Sequence, residues 1–146
     1  DLGLRVRAEG AVTMTALRFI VEGEPVPKGR HRSRVIVPKG GGAPFAQEYP
    51  DPKTKAYEDK LAWCAKAAMS KDRWAPAETS RFRLLIRVYT THDLKRGDWD
   101  NYAKCVDGLN GVVWRDDKLV TEAAVVVRQD RARPRMEIEV EEIPAA

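Results

Sequence analysis

Acidic side chains gather in one short stretch of the 146-residue chain, residues 97–120. Asp98 and Asp100 lie two residues apart, and residues two apart point the same way in extended backbone. Two carboxylates placed in this way can share one hard divalent cation, which takes oxygen ligands and leaves positions for water and phosphate. Asp116 and Asp117 follow one predicted helix later, and they can close on the first pair if that helix folds back. The spacing therefore indicates a candidate metal site.

A divalent cation would explain why so many carboxylates are placed together. Converging carboxylates repel one another and raise one another's pKa, and a divalent ion removes that cost. It can also activate water beside a phosphate group. Lys104 lies four residues after Asp100, on the same face of the predicted helix, and its ammonium can neutralise charge that develops on a phosphate. Asn101 can orient an aspartate or a water molecule.

Each of these features also has a purely structural interpretation. The Asp98–Asp100 pair before a helix is commonly a cap, and Lys104 with Asp100 is commonly a surface ion pair worth a few tenths of a kcal/mol. An EF-hand calcium loop is excluded because, counting from Asp98, Ala103 stands where glycine is needed and Leu109 where glutamate is needed. Spacing alone leaves the structural and the metal-binding interpretations open.

The order of these motifs resembles the signature of the RusA family of Holliday-junction resolvases. That signature runs Asp-x-Asp-Asn, then a helix with Lys and a later Asp-x-Leu, often Asn-Gly, then an aromatic residue and Asp-Asp. The matching residues are Asp98-Trp99-Asp100-Asn101, Lys104, Asp107-Gly108-Leu109-Asn110-Gly111, Trp114 and Asp116-Asp117. A second stretch is similar to the Gly-x-Pro-x-Pro-Lys-x-Arg that opens many family members. It reads Gly23-Glu24-Pro25-Val26-Pro27-Lys28-Gly29-Arg30.

The resemblance implies an endonuclease that hydrolyses phosphodiesters in four-way DNA junctions with symmetric nicks. It implies that Asp98, Asp100 and Asp117 are the essential carboxylates, with Asp116 as a helper at the metal and Lys104 as the catalytic lysine. It implies a Mg²⁺ cofactor, often replaceable by Mn²⁺, and a homodimer in which each subunit cuts one strand. Many members of the family are encoded by phages or prophages.

The chain departs from the family pattern after the lysine. The family usually has three residues between the lysine and the next aspartate, whereas two residues separate Lys104 from Asp107. One residue fewer turns an α-helix by about 100°. We therefore expect Asp107 to leave the family position, and Asp117 to reach the site differently.

Two other functions compete with the resolvase. One is a phage nuclease that acts on forks or flaps, which cleavage compared across branched substrates would distinguish. The other is a branched-DNA-binding protein that has lost catalysis, which would bind equally well with or without Mg²⁺ and never cut. A small-molecule phosphohydrolase is a weaker alternative because it would have no use for the many basic side chains at residues 28–39.

Basic side chains crowd residues 28–39, a segment without a single acidic residue although the formal charge of the whole chain is only +4. They are Lys28, Arg30, His31, Arg32, Arg34 and Lys39. Lysine and arginine side chains bind phosphates by displacing counterions. We expect Lys28, Arg30, Arg32 and Arg34 to contact the DNA backbone. A solvated, mobile loop is the structural alternative for the glycine-rich stretch 23–50.

Hydrophobic periodicity predicts the elements that must position these residues. Strands are predicted at 17–21, 81–91, 118–128 and 136–140, with a brief strand at 35–37. Helices are predicted over 51–70, capped by Asp51, and over 99–110, stopped by Asn110-Gly111. The order β-α-β-α-β-β predicts an α+β fold, a single small domain with a mixed sheet and two main helices packed on it. We expect the last two strands to pair as a hairpin.

The first residues and the cysteines carry the remaining expectations. We expect residues 1–13 to be a leader or a disordered N-terminus and residues 14–146 to form the nuclease domain. Cys64 and Cys105 have no neighbouring Cys or His at zinc spacing, so we expect reduced thiols in a cytoplasmic protein. No apolar run reaches the length that spans a membrane, and we expect no membrane partner.

Overall fold

A mixed β-sheet forms the centre of the computed structural model, which describes residues 4–6, 12–14, 16–93 and 99–143. In chain order the elements are β1 (Leu4–Val6), β2 (Val12–Met14), β3 (Ala16–Glu22), β4 (Arg32–Ile36), β5 (Phe45–Tyr49), α1 (Pro52–Asp72), β6 (Arg81–Thr90), α2 (Trp99–Ala103), β7 (Val120–Gln129) and β8 (Arg135–Ile143). Two 3₁₀ helices, Lys104–Leu109 and Asp117–Leu119, lie between α2 and β7. The predicted α+β class is confirmed.

The central sheet has the spatial order β3-β8-β6-β7. β8 is antiparallel to β3 and to β6, whereas β7 runs parallel to β6. The prediction of a hairpin between the last two strands is wrong, because β7 and β8 lie on opposite sides of β6. Residues 130–134 link them across the end of β6, where the Asp130 amide donates to the Thr90 carbonyl at 2.9 Å.

One face of this sheet forms the core with α1. Phe82, Leu84, Ile86 and Val88 of β6 are all buried, as the alternation predicts. The buried residues of the neighbouring strands are Leu17, Phe19, Val21, Met136, Ile138 and Val140. Tyr57, Leu61 and Ala65 of α1 close this core from above, and the 3₁₀ helix Lys104–Leu109 packs against the same helix.

The opposite face of the sheet carries arginines and glutamates in register. Arg83 pairs with Glu122 and with Glu141, the latter at 2.9 Å, and Arg87 donates to Glu139 at 3.1 Å. The acidic residues that alternate along β8 therefore neutralise the arginines of β6. Arg83 and Arg87 on this face thus already have carboxylate partners.

Helix α1 begins where the sequence predicts it. The Asp51 carboxylate accepts from the Thr54 amide at 3.2 Å, and Pro52 occupies the first turn, where its missing N–H costs nothing. The helix ends at Asp72, two residues beyond the prediction, and Arg73 caps it in the left-handed conformation with φ 53°.

The prediction of one α-helix over residues 99–110 is wrong beyond residue 103. Only Trp99–Ala103 is α-helical, and Lys104–Leu109 winds as a 3₁₀ helix. Val106, Asp107 and Gly108 are weak α-helix formers, which lowers the cost of leaving the α geometry. The tighter segment also lies very close to α1 at Glu58, with no room for a side chain at Gly108.

The stretch 23–50 is more ordered than predicted. β4 and β5 pair as an antiparallel two-stranded sheet, where the sequence predicts only a brief strand at 35–37. The turn between them contains Gly41 and Gly42 at φ 89° and 115°, a conformation that favours glycine. β1 and β2 form a further two-stranded sheet. That residues 1–13 are a leader stays a prediction.

Cys64 and Cys105 are free cysteines, as expected. Among the helices that the structure describes, none has the length and apolar character needed to cross a bilayer.

The close packing of Gly108 on α1 generates a test of the fold. A Cβ at position 108 would lie 2.8 Å from the Glu58 Cβ and 2.9 Å from the Glu58 carbonyl oxygen. Gly108→Ala should therefore lower the free energy of unfolding by about 1–3 kcal/mol, the usual cost of overpacking. The matched control is Gly40→Ala, where a Cβ meets nothing within 4 Å. Equal denaturant midpoints for the two variants would contradict this packing.

Candidate active site

A polar cavity of about 500 Å³ lies between α2 and the basic segment. It is lined by Lys28, Gly29, Arg30, His31, Asp100, Asn101 and Lys104. The Lys104 ammonium lies 3.6 Å from the Asp100 carboxylate, which confirms that these two residues share a helix face. Both side chains are about half exposed, so both charged groups remain accessible to solvent and to a ligand. The cavity thus combines one carboxylate with several cationic groups.

The N-terminus of α1 fixes the basic segment beside this cavity. The hydroxyl of buried Thr54 accepts from the Gly29 amide at 2.8 Å and donates to Asp51 at 3.2 Å. Arg32 donates to the same Asp51 carboxylate at 2.9 Å. Burial opposes ionisation of Asp51, but the hydrogen bonds from Thr54 and the charge of Arg32 outweigh it and lower its pKa. The cap of the helix is therefore also the anchor of the segment.

The hairpin of β4 and β5 extends the basic surface away from the cavity. The Arg34 guanidinium lies over the Tyr49 ring, 5.3 Å from its centroid, and donates to Gln47 at 2.9 Å. These neutral partners hold the side chain in place without cancelling its charge. Arg32, in contrast, already has a carboxylate partner in Asp51.

A carboxylate cluster, Glu58, Asp107, Asp116 and Asp117, lies at the far end of the 3₁₀ helix. A hydrogen bond with Asp116, together with burial and the nearby charges of Asp116 and Asp107, raises the pKa of Asp117. The Lys118 amide, at 2.9 Å from Asp116, and the hydrogen bond with Asp117 lower the pKa of Asp116. Asp107 therefore lies near enough to Asp117 to act on its carboxylate.

An aromatic group holds the backbone that carries Asp116 and Asp117. Buried Trp114 donates from its indole to the Asn110 side chain at 2.8 Å and packs on Phe82, with ring centroids 5.8 Å apart. Gly111, at φ 76°, closes this turn by donating its amide to the Trp114 carbonyl at 2.7 Å. The predicted Asn110-Gly111 stop thus also determines where the aspartate pair emerges.

The segment after Lys104 is one residue shorter than in the family pattern, and its 3₁₀ geometry affects which side chains share a face. In a 3₁₀ helix, side chains three residues apart eclipse one another. Lys104 and Asp107 therefore share a face of the helix Lys104–Leu109. The expected rotation of about 100° assumed α-helical geometry, which Lys104–Leu109 does not have, and that Asp107 leaves the family position stays a prediction.

Lys28 connects the cavity to the carboxylate cluster. Its ammonium lies 2.5 Å from Asp107 and 3.6 Å from Glu58, and its amide donates to the Asn101 carbonyl at 2.8 Å. The hydrogen bond with Asp107 raises the pKa of Lys28 above its usual value, and burial only partly opposes this effect. Sequence analysis missed Glu58, because a single glutamate on an amphipathic helix carries no distinguishing spacing.

Glu24 is a second residue that sequence analysis missed. Its carboxylate accepts from the Thr91 amide at 2.8 Å and from the Thr90 hydroxyl at 3.0 Å. Burial raises its pKa, but the hydrogen bonds from Thr91 and Thr90 prevail and the net shift is downward. Glu24 thus holds the end of β6, the strand that leads toward Asp100. Its position between Gly23 and Pro25 in the opening motif was the available signal.

The family comparison covers the segments that form this site. A family model described as Endodeoxyribonuclease RusA matches residues 22–141. The chain belongs to the RusA endodeoxyribonuclease family. The match begins beside the segment that carries Glu24 and Lys28 and ends within β8, so it includes the cavity and the carboxylate cluster. A search of curated proteins found no match.

Three of the four predicted acidic residues of this RusA-family site can be located. Asp100 lines the cavity, Asp116 and Asp117 belong to the carboxylate cluster, and Asp98 lies outside the described residues. Within residues 16–93 and 99–143, no three carboxylate, imidazole or thiol groups converge as a metal site by themselves.

The donor chemistry nevertheless suits a hard cation. Asp107, Asp116 and Asp117 all offer carboxylate oxygens, the donors that hard cations prefer, and a hydrogen bond with Asp116 and the charges of Asp116 and Asp107 raise the pKa of Asp117. The Oε2 atom of Glu58 is buried without a hydrogen-bond partner, since 3.6 Å from Lys28 is too long for one. These residues fit a divalent cation in chemistry, with Asp98 still to be added.

The Glu24 network predicts a pH-dependent loss of stability. Because folding lowers the pKa of Glu24 below 4.5, its contribution is present above that pH and is lost as the pH falls through the folded pKa. Glu24→Gln should lower the free energy of unfolding by about 1–2 kcal/mol near neutral pH, and by much less at about pH 3. Denaturant unfolding at both pH values measures this difference.

The matched control is Glu78→Gln. Its side chain is 87% exposed, so its pairing with Arg115 contributes little. A Glu24→Gln deficit that is the same at both pH values would show that the carboxylate charge is not what the two threonines stabilise.

Proposed function

We propose that this chain is a Holliday-junction resolvase that hydrolyses phosphodiesters with Mg²⁺ as cofactor and Mn²⁺ as a substitute. It acts as a homodimer, because a four-way junction offers two equivalent strands and each subunit nicks one of them. The observation that carries the proposal is the cavity in which Asp100 and Lys104 face the basic segment, next to the carboxylate cluster. Family membership supports DNA as the substrate.

The residues divide the work at the scissile phosphate. Asp98, Asp100 and Asp117 would hold the cation, with Asp116 beside them. When bound, Mg²⁺ would offset charge on the phosphate and make a water molecule a better nucleophile. The Lys104 ammonium, 3.6 Å from Asp100 and half exposed, neutralises charge that develops on the phosphate oxygens. Asn101 lines the same cavity, where its amide can orient an aspartate or the attacking water.

The basic segment grips the DNA backbone. Arg30 lines the cavity, while Arg32 and Arg34 lie on the hairpin beside it. Phosphate contacts of this kind fix the position of the protein on DNA without reading sequence. Lys28 was predicted as a fourth contact, but its ammonium faces Asp107 and Glu58. Arg32 also has a carboxylate partner in Asp51, so Arg30 and Arg34 are the stronger candidates.

Strand cleavage of a labelled synthetic four-way junction tests the proposal. With Mg²⁺ we expect paired, symmetric nicks in opposite strands, and with EDTA none. A linear duplex of the same sequence should stay intact. Preferential cutting of forks or flaps would replace the junction as the substrate, and tight junction binding without cutting would indicate a binding protein in a nuclease fold.

Asp100→Asn separates cutting from binding in the same assay. Loss of a metal ligand should reduce the cleavage rate by more than about 100-fold, since even outer partners of ligands are worth 10–100-fold. Junction affinity in EDTA should stay unchanged, because Asp100 makes no phosphate contact. Asp59→Asn is the matched control on α1, where Asp59 pairs with exposed Lys55. Retained cleavage by Asp100→Asn would contradict the assignment of this residue.

Arg34→Gln tests the DNA grip. Each phosphate contact adds about 0.9 to the slope of log affinity against log salt, so the variant should lower that slope by about 1 and weaken binding to all junction sequences alike. Lys71→Gln removes one positive charge from the opposite end of α1, about 30 Å from its start at 1.5 Å per residue, and serves as control. Equal slopes for the two variants would exclude Arg34 as a contact.

A further inference from the structure

The ammonium of the half-buried Lys28 lies against two carboxylates at the edge of the polar cavity. Its Nζ lies 2.5 Å from Asp107 and 3.6 Å from Glu58, and its side chain is only 24% exposed. An ammonium between two carboxylates has little net charge left to attract a phosphate. Lys28 is thus a poor DNA contact, although it belongs to the most basic segment of the chain.

Lys28 contacts three different helices through its backbone and its side chain. Its backbone amide donates to the Asn101 carbonyl in α2 at 2.8 Å, while its side chain reaches Asp107 in the 3₁₀ helix and Glu58 in α1. The next residue, Gly29, donates to Thr54 at the start of α1. The lysine therefore has both a fixed backbone and a fixed ammonium.

Without Lys28, the cluster would lack its central cation. Lys28 contacts Asp107 and lies near Glu58 of α1, and Asp107 in turn interacts with Asp117. Removing the ammonium would leave like charges opposed at short range, which drives carboxylates apart or protonates one of them. The geometry of Asp117 would change although Lys28 does not touch it.

We propose that Lys28 is a positioning residue, which holds Asp107 against Asp117 so that the carboxylate cluster is formed before DNA or a cation arrives. This inference rests on the proposed function, because Asp117 matters only if the chain cuts DNA. It assigns Lys28 a role through Asp107, distinct from that of Arg30 and Arg34 at the DNA backbone.

Lys28→Met tests this role by separating rate from affinity. The single-turnover cleavage rate at saturating junction and Mg²⁺ should fall by at least about 10-fold, the lower end of effects for partners of ligands. The junction affinity in EDTA and its salt slope should equal those of the unmodified protein. Lys55→Met is the matched control, since Lys55 forms a comparable pair with Asp59 at 2.7 Å on the exposed face of α1. It should change neither quantity.

A double-mutant cycle tests whether Lys28 acts through Asp107. If it does, Lys28→Met combined with Asp107→Asn should be no slower than the slower single variant. The double variant also removes both charges together, so it keeps the test available if Lys28→Met alone fails to fold. Additive losses would overturn the inference. So would a salt slope lowered by about 1 with an unchanged saturating rate, which is the behaviour of a phosphate contact.

Amide hydrogen exchange of the DNA-free protein tests the inference independently of cleavage. Lys28→Met should increase exchange in Lys104–Leu109, whereas Lys55→Met should not, because only Lys28 holds this helix through Asp107. If the unmodified protein never cuts a junction but shows this exchange pattern, the proposed function fails and the positioning contact stands. Unchanged exchange in Lys28→Met would overturn the contact itself.

Discussion

Repulsion among closely placed carboxylates is the constraint on which this structure depends. Asp107, Asp116 and Asp117 lie near enough that the pKa of Asp117 rises, and Glu58 approaches the same group from α1. In a small protein such a concentration of negative charge opposes folding unless cations or hydrogen bonds offset it. Here the ammonium of Lys28 and the amide of Lys118 supply part of that offset. The remaining imbalance is what a divalent cation would remove.

Backbone geometry makes this crowding possible. The segment after α2 changes to a 3₁₀ helix, so that Lys104 and Asp107 share a face although one residue fewer separates them than in the family pattern. Gly108 then allows the same segment to lie against Glu58 without a side chain between them. A glycine, a short helix and the Trp114 packing together bring the aspartates within reach of Lys28. The chemistry of the site is thus inseparable from how tightly this segment packs on α1.

The parts of this fold that the sequence predicts are those with a half-buried pattern. β3, β6 and β8 alternate apolar and polar residues against one core, and α1 has both a cap and an apolar stripe, so the ends of all four were located within three residues. The β4–β5 hairpin was not recognised beyond a brief strand. Nearly all of its residues are exposed on both faces, so burial imposes no period on them. Solvent-exposed hairpins escape periodicity for this physical reason.

Strand order and helix type could not be predicted from the sequence, for a different reason. A short link such as residues 130–134 ordinarily joins strands that pair as a hairpin. Here β7 takes the outer edge beside β6 through the parallel crossover, which leaves β8 to enter on the other side of β6. Only tertiary contacts, such as the Asp130 amide on the Thr90 carbonyl, determine that outcome. Likewise, Asp100 and Lys104 could be paired by spacing, whereas Glu58 and Glu24 could not.

The segment before β4 joins the two ends of the site. Glu24 holds the end of β6 through Thr90 and Thr91, and Lys28, four residues later, holds Asp107 at the far end of the 3₁₀ helix. One stretch of chain thus contacts both the end of β6 and the 3₁₀ helix that carries Asp107. Gly29 and Arg32 also fasten this stretch to the start of α1 through Thr54 and Asp51. The opening motif of the family match therefore has a structural role of its own, because it connects α1, the end of β6 and the 3₁₀ helix through Thr54, Thr91 and Asp107.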